Sequence, residues 1–272
     1  MAEYNPTTFA EFLECLDNDT TKTVNLPENA EWDASETEPE GHTGSILLYG
    51  TINGNGTKIK NLVIRNASNG AFTVNGTVTD LHFTDGVWEA GIVVQSARNG
   101  LVQLCTFSAS LQGYVTSTLF NFDSSFSSDR AYVYRCAANI EVATSTTVAV
   151  FANKVEAKYC NMKISGSLIE HLYLFNGNTE RGKVDYSYFL CDTPAVTDLQ
   201  GYAVYWSFIR CTGANVTDLR YICKNNSKIT LCCDSDFPNA SQFSNGVRLC
   251  TESQLHDAAY LQSIGFPIGV EY

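Results

Sequence analysis

The apolar residues of this chain recur in a short phrase, not in a helical or strictly alternating rhythm. The phrase is apolar, two residues, small or apolar, one residue, apolar. It reads Ile59–Leu62–Ile64, Val78–Leu81–Phe83, Val102–Cys105–Phe107, Val133–Cys136–Ala138 and Ala157–Cys160–Met162. Val184–Ser187–Phe189 and Val204–Ser207–Ile209 follow, inside the near-copies "VDYSYFLC" and "VYWSFIRC". Ile229–Cys232 and Val247–Cys250 keep the first two positions. Successive first positions lie 18 to 31 residues apart, a period at which solenoid repeats are expected. Spacing this variable argues against helical repeats. It suits coils of short strands whose loops absorb insertions. One such coil cannot bury its inner face alone. Coils stacked at strand spacing pair their backbones above and below and align equivalent side chains in ladders. The pattern therefore predicts an all-β, single-domain parallel β-helix of about nine coils.

The middle ladder position reads Leu62, Leu81, Cys105, Cys136, Cys160, Ser187, Ser207, Cys232, Cys250. Small residues there suit a crowded interior at a bend, and a reduced cysteine is a small buried hydrophobe. The ends differ from the coils. In "TTFAEFLECLDND", Thr8 and Glu11 have capping-box spacing, and Phe9, Phe12, Leu13 and Leu16 share one helical face. Residues 33–45 are acidic and rich in turn formers and predict an exposed loop. Near the C-terminus, "TESQLHDAAYLQSIGF" predicts a short helix with Thr251 and Gln254 as its capping box. The expected organisation is an N-terminal cap over 1–46, the β-helix over 47–252 and a C-terminal cap over 253–272.

Composition narrows the function classes. Asp and Glu total 29 against 17 Lys and Arg, a net charge of −12 with no basic stripe, so nucleic acid is not an expected partner. Charged residues are only 17 % of the chain, and the Asn, Thr, Ser and Gly that replace them favour strands and turns. The opening "MAEYNPTTFAEF" has neither a basic n-region nor a long apolar run. The expectation is no signal peptide and no membrane insertion. The ten cysteines contain no C-x-x-C pair and there are four histidines, so neither a metal site nor a cofactor is expected.

The repeated phrase resembles the "V-x-N-C/S-x-F" coil of right-handed parallel β-helices, the fold of pectate lyases and of many phage tail and appendage proteins. "INGNGTKIKNLVIRN" (Ile52–Asn66) is similar to the first-coil phrase of that superfamily. The resemblance spans roughly Leu47 to Glu252 and implies a right-handed coil. It implies little about activity, because this fold hosts many functions. Lyases of this kind need clustered carboxylates and a proton-abstracting base, and hydrolases need paired carboxylates. No Asp-Asp pair, G-H-G or R-x-K stands on the ladder. Asp80, Asp85 and Glu89 read as solvated turn residues, as do Asp234 and Asp236, and His82 stands alone after Leu81.

The more distinctive feature is aromatic. Outward positions of successive coils carry Tyr134, Tyr159, Tyr186, Tyr188, Tyr205, Trp206 and Phe208. Stacking would gather them on one or two outer faces, where aromatic rows serve sugar stacking or protein contacts. The function expected is a non-enzymatic bacteriophage virion protein: a head fibre, tail or decoration component made in the host cytoplasm. Its partners would be other virion proteins and a host-surface polysaccharide or receptor, with a homotrimer among the assemblies allowed. The alternatives are a polysaccharide depolymerase or lyase of pectate-lyase-like fold and a surface adhesin.

Overall fold

A computed structural model describes residues 2–96, 100–122, 129–176, 182–201, 204–205, 207–211, 231–234, 247–250, 254 and 257–263. They form a parallel β-solenoid of about six turns, consistent with the right-handed coil expected. Each turn runs over three faces. The first face stacks Thr23–Asn25, residues 51–53 and 77–79, Leu101–Gln103, Ala131–Tyr134, Val155–Lys158, Lys183–Asp185 and Val204–Tyr205. The second contains Thr106–Gln112, Ala137–Val142, Asn161–Ser165, Tyr188–Asp192 and Ser207–Cys211. The third contains Ile92–Ser96, Thr116–Phe122, Thr147–Ala152, His171–Asn176 and Asp198–Gly201. The apolar segments 138–154 and 165–176 therefore supply strands of the second and third faces.

Registration produces the ladders. Val24, Ile52, Val78, Val102, Val133, Ala157, Val184 and Val204 are successive in-register partners on the first face, and all are buried. On the second face the inward column is Ile59, Phe83, Phe107, Ala138, Met162, Phe189. On the third it is Ile46, Phe72, Val94, Phe120, Phe151, Phe175. Rings stack along the axis, with Phe83 on Phe107 at 5.8 Å and Phe120 on Phe151 at 5.4 Å. They meet edge-on across it, Phe107 to Phe120 at 5.7 Å and Phe151 to Phe189 at 6.2 Å. Both geometries suit the ring quadrupole.

Two registers differ from the expected repeat. Ile52, not Ile59, is the partner of Val78, and Thr57 stands opposite Leu81. Gly54, Asn55 and Gly56 fit where the next coil has Asp80 alone, a bulge that lengthens this corner. "IKNLVI" mimics the phrase because a second corner is built alike: Asn61 at φ 57 is followed by buried Leu62, as Asp80 at φ 53 is by Leu81. At the other end, Leu231 pairs with Ser207 and Cys232 with Phe208, while Val247 pairs with Leu231 and Cys250 with Asp234. Cys232 and Cys250 therefore leave the middle ladder. A one-residue slip exchanges the faces of a strand, and "LCC" offers an apolar residue in either register. The solenoid has about six turns where nine coils were expected.

Short helices occur at both ends. Helix α1 (Phe9–Glu14) buries Phe9 and Phe12 beside Trp32, with ring centroids 6.5 and 6.1 Å away. Thr8 Oγ1 accepts from the Glu11 amide, but the Glu11 carboxylate turns to the amide and hydroxyl of Thr7, so the expected box is only half closed. The acidic segment 33–45 is not a plain loop. Asp33 caps α2 (Ala34–Thr37), and His42–Thr43 pairs with Ile64 and Arg65. Helix α3 (Ala258–Ser263) takes its N-terminal acceptor from Asp257, 2.9 Å from the Ala259 amide. The expected cap Thr251 lies outside the described residues. No helix among the described residues is long and apolar enough to cross a membrane.

Candidate binding corner

The first and second faces meet at a corner that one residue turns in five successive coils. Thr79, Gln103, Tyr134, Lys158 and Asp185 stand in register. Each is followed by a residue with positive φ: Asp80 (53°), Leu104 (58°), Arg135 (53°), Tyr159 (56°) and Tyr186 (51°). Asp tolerates this region, whereas bulky side chains there are outliers that cost about 1–2 kcal/mol each. The strain is held by the ladder beside it. The amides of Leu104, Arg135 and Tyr159 donate to Tyr134, Lys158 and Asp185 of the next coil at 3.0, 3.0 and 3.3 Å.

The buried residue after each turn completes the corner. Cys105, Cys136 and Cys160 stack one coil apart, as shown by Ala137 N to Cys105 O and Asn161 N to Cys136 O, both 2.9 Å. Each thiol has two carbonyl acceptors within reach of its one hydrogen. Cys136 reaches Val102 O and Tyr134 O, and Cys160 reaches Val133 O and Lys158 O, all at 3.4 Å. Burial pushes the Cys136 thiol up and the Cys160 thiol up to about 12, so both stay protonated donors at neutral pH. Ser187 takes over in the next coil, accepting from the Cys160 amide at 3.2 Å and donating to Asp185 O at 3.0 Å. The small polar residues expected as core filler are also hydrogen-bonding parts of the turn.

On the outside the corner is aromatic and charged. Tyr159 and Tyr186 stack at 5.3 Å with planes 14° apart. Tyr159 remains 38 % exposed and Leu104, in the same column, 42 %. On the adjoining first face Tyr132 and Tyr134 pack at 5.8 Å. Burial, with Glu156 nearby, pushes the Tyr134 phenol up to about 12, so it remains a neutral hydroxyl. Glu156 is met by Arg130 and Lys158 at 3.4 Å and by Lys183 at 3.9 Å. Lys183 also pairs with Asp185 at 3.0 Å, which raises its own pKa. Among the described residues, Arg130, Lys158, Lys183 and exposed Arg135 stand with Glu156 and Asp185 near these tyrosines, in a chain whose net charge is −12.

The seven aromatics, expected to gather on one or two outer faces, therefore divide. Tyr159 and Tyr186 share the corner, and Tyr134 adjoins it. Tyr188 is 8 % exposed and lies in a second-face column with Asn161 and Phe208, too covered to offer a ring face. Tyr205 pairs through its backbone with Asp185 on the first face. Trp206 lies outside the described residues. Tyr132, Arg130, Lys158 and Lys183 are parts of the site that the repeat phrase did not single out. Their signal was the alternation of outward positions in "RAYVY", "VEAK" and "KVD".

Two further arrangements stand on the second face. His82, expected alone, hydrogen-bonds on both ring nitrogens, to Asp80 and to Thr106 of the next coil. An open groove of about 370 Å³ is lined by Asp85, Ser108, Ser110, Asn139, Glu141 and Lys163, so Asp85 joins this groove, not Asp80. No group of three His, Cys, Asp or Glu among the described residues is arranged to hold a metal ion. Comparison with family models, curated proteins and solved structures finds no match to this chain.

Proposed function

We propose that this chain is a structural or appendage component of a bacteriophage virion that binds an acidic host-surface polysaccharide through the tyrosine corner without cutting the polymer. The observation that carries the binding reading is the Tyr159–Tyr186 stack, held in a strained backbone beside a first face that carries Arg130, Lys158 and Lys183. Strain retained in consecutive coils marks sites where position matters more than stability. Stacked rings offer rigid area to the apolar face of a sugar, and cations complement its acid groups. The virion setting rests on the solenoid, which displays such a corner from a stiff rod, and on the resemblance of its coil phrase to appendage β-helices. In this reading the C-terminal strands extend the stack toward nine coils, a short helix closes each end, and the rods assemble with other virion proteins.

The test is a microarray of capsular and wall polysaccharides probed with the full chain and with Tyr186→Ala. Loss of one stacking ring should weaken binding to an acidic polymer about fivefold or more. Equal binding by both proteins would remove the corner from the site. The second-face groove, with Asp85, Glu141 and Lys163, favours a second reading, a polysaccharide lyase or hydrolase. New reducing ends or unsaturated uronates, with or without calcium, would establish it.

A further inference from the structure

A carboxylate at the corner meets an imidazole and a hydroxyl on the second face, three coils from Tyr159 of the tyrosine stack. Asp80 Oδ1 lies 3.2 Å from His82 Nε2, and Thr106 Oγ1 lies 3.1 Å from His82 Nδ1. The fold places all three. Asp80 turns the corner at φ 53, so Asp80 and His82 flank the buried Leu81 and remain partly exposed themselves. His82 and Thr106 are in-register partners on adjacent parallel strands, 24 residues apart in sequence.

In the neutral ring that carries its proton on Nε2 toward Asp80, Nδ1 presents a lone pair and accepts from the Thr106 hydroxyl. This is the resting arrangement of a hydroxyl nucleophile backed by a base that a third group orients. On the other side of His82 the same column carries Lys58, half-exposed. Ala137 follows Thr106 in its column with only a methyl side chain, and exposed Leu104 follows Asp80 in the corner column. Two residues along the Thr106 strand the groove begins with Ser108 and Ser110, and Asn139 joins it from the next strand; their hydroxyls and amide suit a polyhydroxylated carrier.

We propose that Asp80, His82 and Thr106 form an acyl-transfer centre that hydrolyses short acyl esters of carbohydrates. Thr106 Oγ adds to the ester carbonyl carbon as its proton passes to His82 Nδ1. Collapse of the tetrahedral adduct breaks the bond from acyl carbon to alkoxy oxygen, and His82 returns the proton to the departing alcohol. Water, deprotonated by the same nitrogen, then cleaves the Thr106 ester, releasing the carboxylic acid and restoring the hydroxyl. The centre does not depend on polysaccharide binding at the tyrosine corner.

The test uses the full chain with p-nitrophenyl acetate, following p-nitrophenolate release, and an alkyl fluorophosphonate, followed by intact mass and peptide mapping. Thr106→Val and His82→Gln should lower the rate about 100-fold or more, as loss of the nucleophile or its base requires. Thr106→Ser should retain turnover, and the phosphonyl group should map to Thr106. Circular dichroism checks that each variant keeps its strands. Hydrolysis by Thr106→Val at the wild-type rate, a label on another residue, or wild-type turnover no faster than buffer would overturn the proposal, leaving three residues that merely hydrogen-bond across two coils.

Discussion

Cys160 offers the sharpest test of how the corner is built. Its thiol is fully buried in the middle ladder and has Val133 O and Lys158 O as acceptors within reach. Burial carries it from an ordinary 9.0 up to about 12. At about 1.4 kcal/mol per pH unit, the site opposes an anion by about 4 kcal/mol. An aspartate of similar size in Cys160→Asp would meet the same opposition, and its folded pKa would rise to about 7 from about 3.9 in the unfolded chain. A folded pKa raised above the unfolded value means that the native state binds the extra proton. The variant is then least impaired below about pH 4 and loses stability as pH climbs toward 7. Linkage gives a loss of about 1.5 kcal/mol at about pH 5 and about 4 kcal/mol at about pH 7.5. Cys160→Ser should stay within about 1 kcal/mol of wild type at both, because Ser187 and Ser207 already fill the same rung in the next coils. Urea unfolding of the three proteins at the two pH values measures this. Equal stability of Cys160→Asp and wild type, or a loss that ignores pH, would place Cys160 in contact with water and refute the buried ladder.

Other outcomes follow from the same structure. Tyr159→Gly should unfold within about 0.5 kcal/mol of wild type, since relief of the positive φ offsets the lost ring contact, while Tyr159→Ala should lose about 1 kcal/mol; urea titration distinguishes them. Phe151→Ala removes a ring stacked on Phe120 and edge-on to Phe189 and should cost about 3–5 kcal/mol in the same assay. Iodoacetamide at about pH 8 should leave Cys105, Cys136 and Cys160 unmodified in the folded chain and label them after denaturation, as peptide mapping would show.

The ladder was legible because its inward positions repeat chemically. Val78, Val102, Val133, Ala157 and Val184 could be aligned by eye, and they pair in the register that alignment required. The corner was not legible. Positive φ is ordinarily announced by Gly, Asn or Asp, and here Leu104, Arg135, Tyr159 and Tyr186 occupy it, held by contacts with neighbouring coils that no local signal reports. The terminal registers failed for a related reason. Where a bulge adds residues, as between Ile52 and Thr57, or where adjacent residues are both apolar, as in "LCC", a count of spacings cannot tell one rung from the next. Asp80, His82 and Thr106 looked unrelated because only the register of two coils brings Thr106 beside His82. Tyr134, Tyr159 and Tyr186 keep exposed surface while Tyr188 is buried, a division that depended on where the chain turns.

Long-wavelength anomalous scattering from the sulfur atoms tests the central claim most directly, since it locates thiols without assuming a chain trace. The structure requires Cys105, Cys136 and Cys160 to appear as a column parallel to the solenoid axis, spaced about 4.8 Å apart. Sulfur positions scattered off one axis would contradict the in-register coil on which the corner, the tyrosine stack and the proposed function all rest.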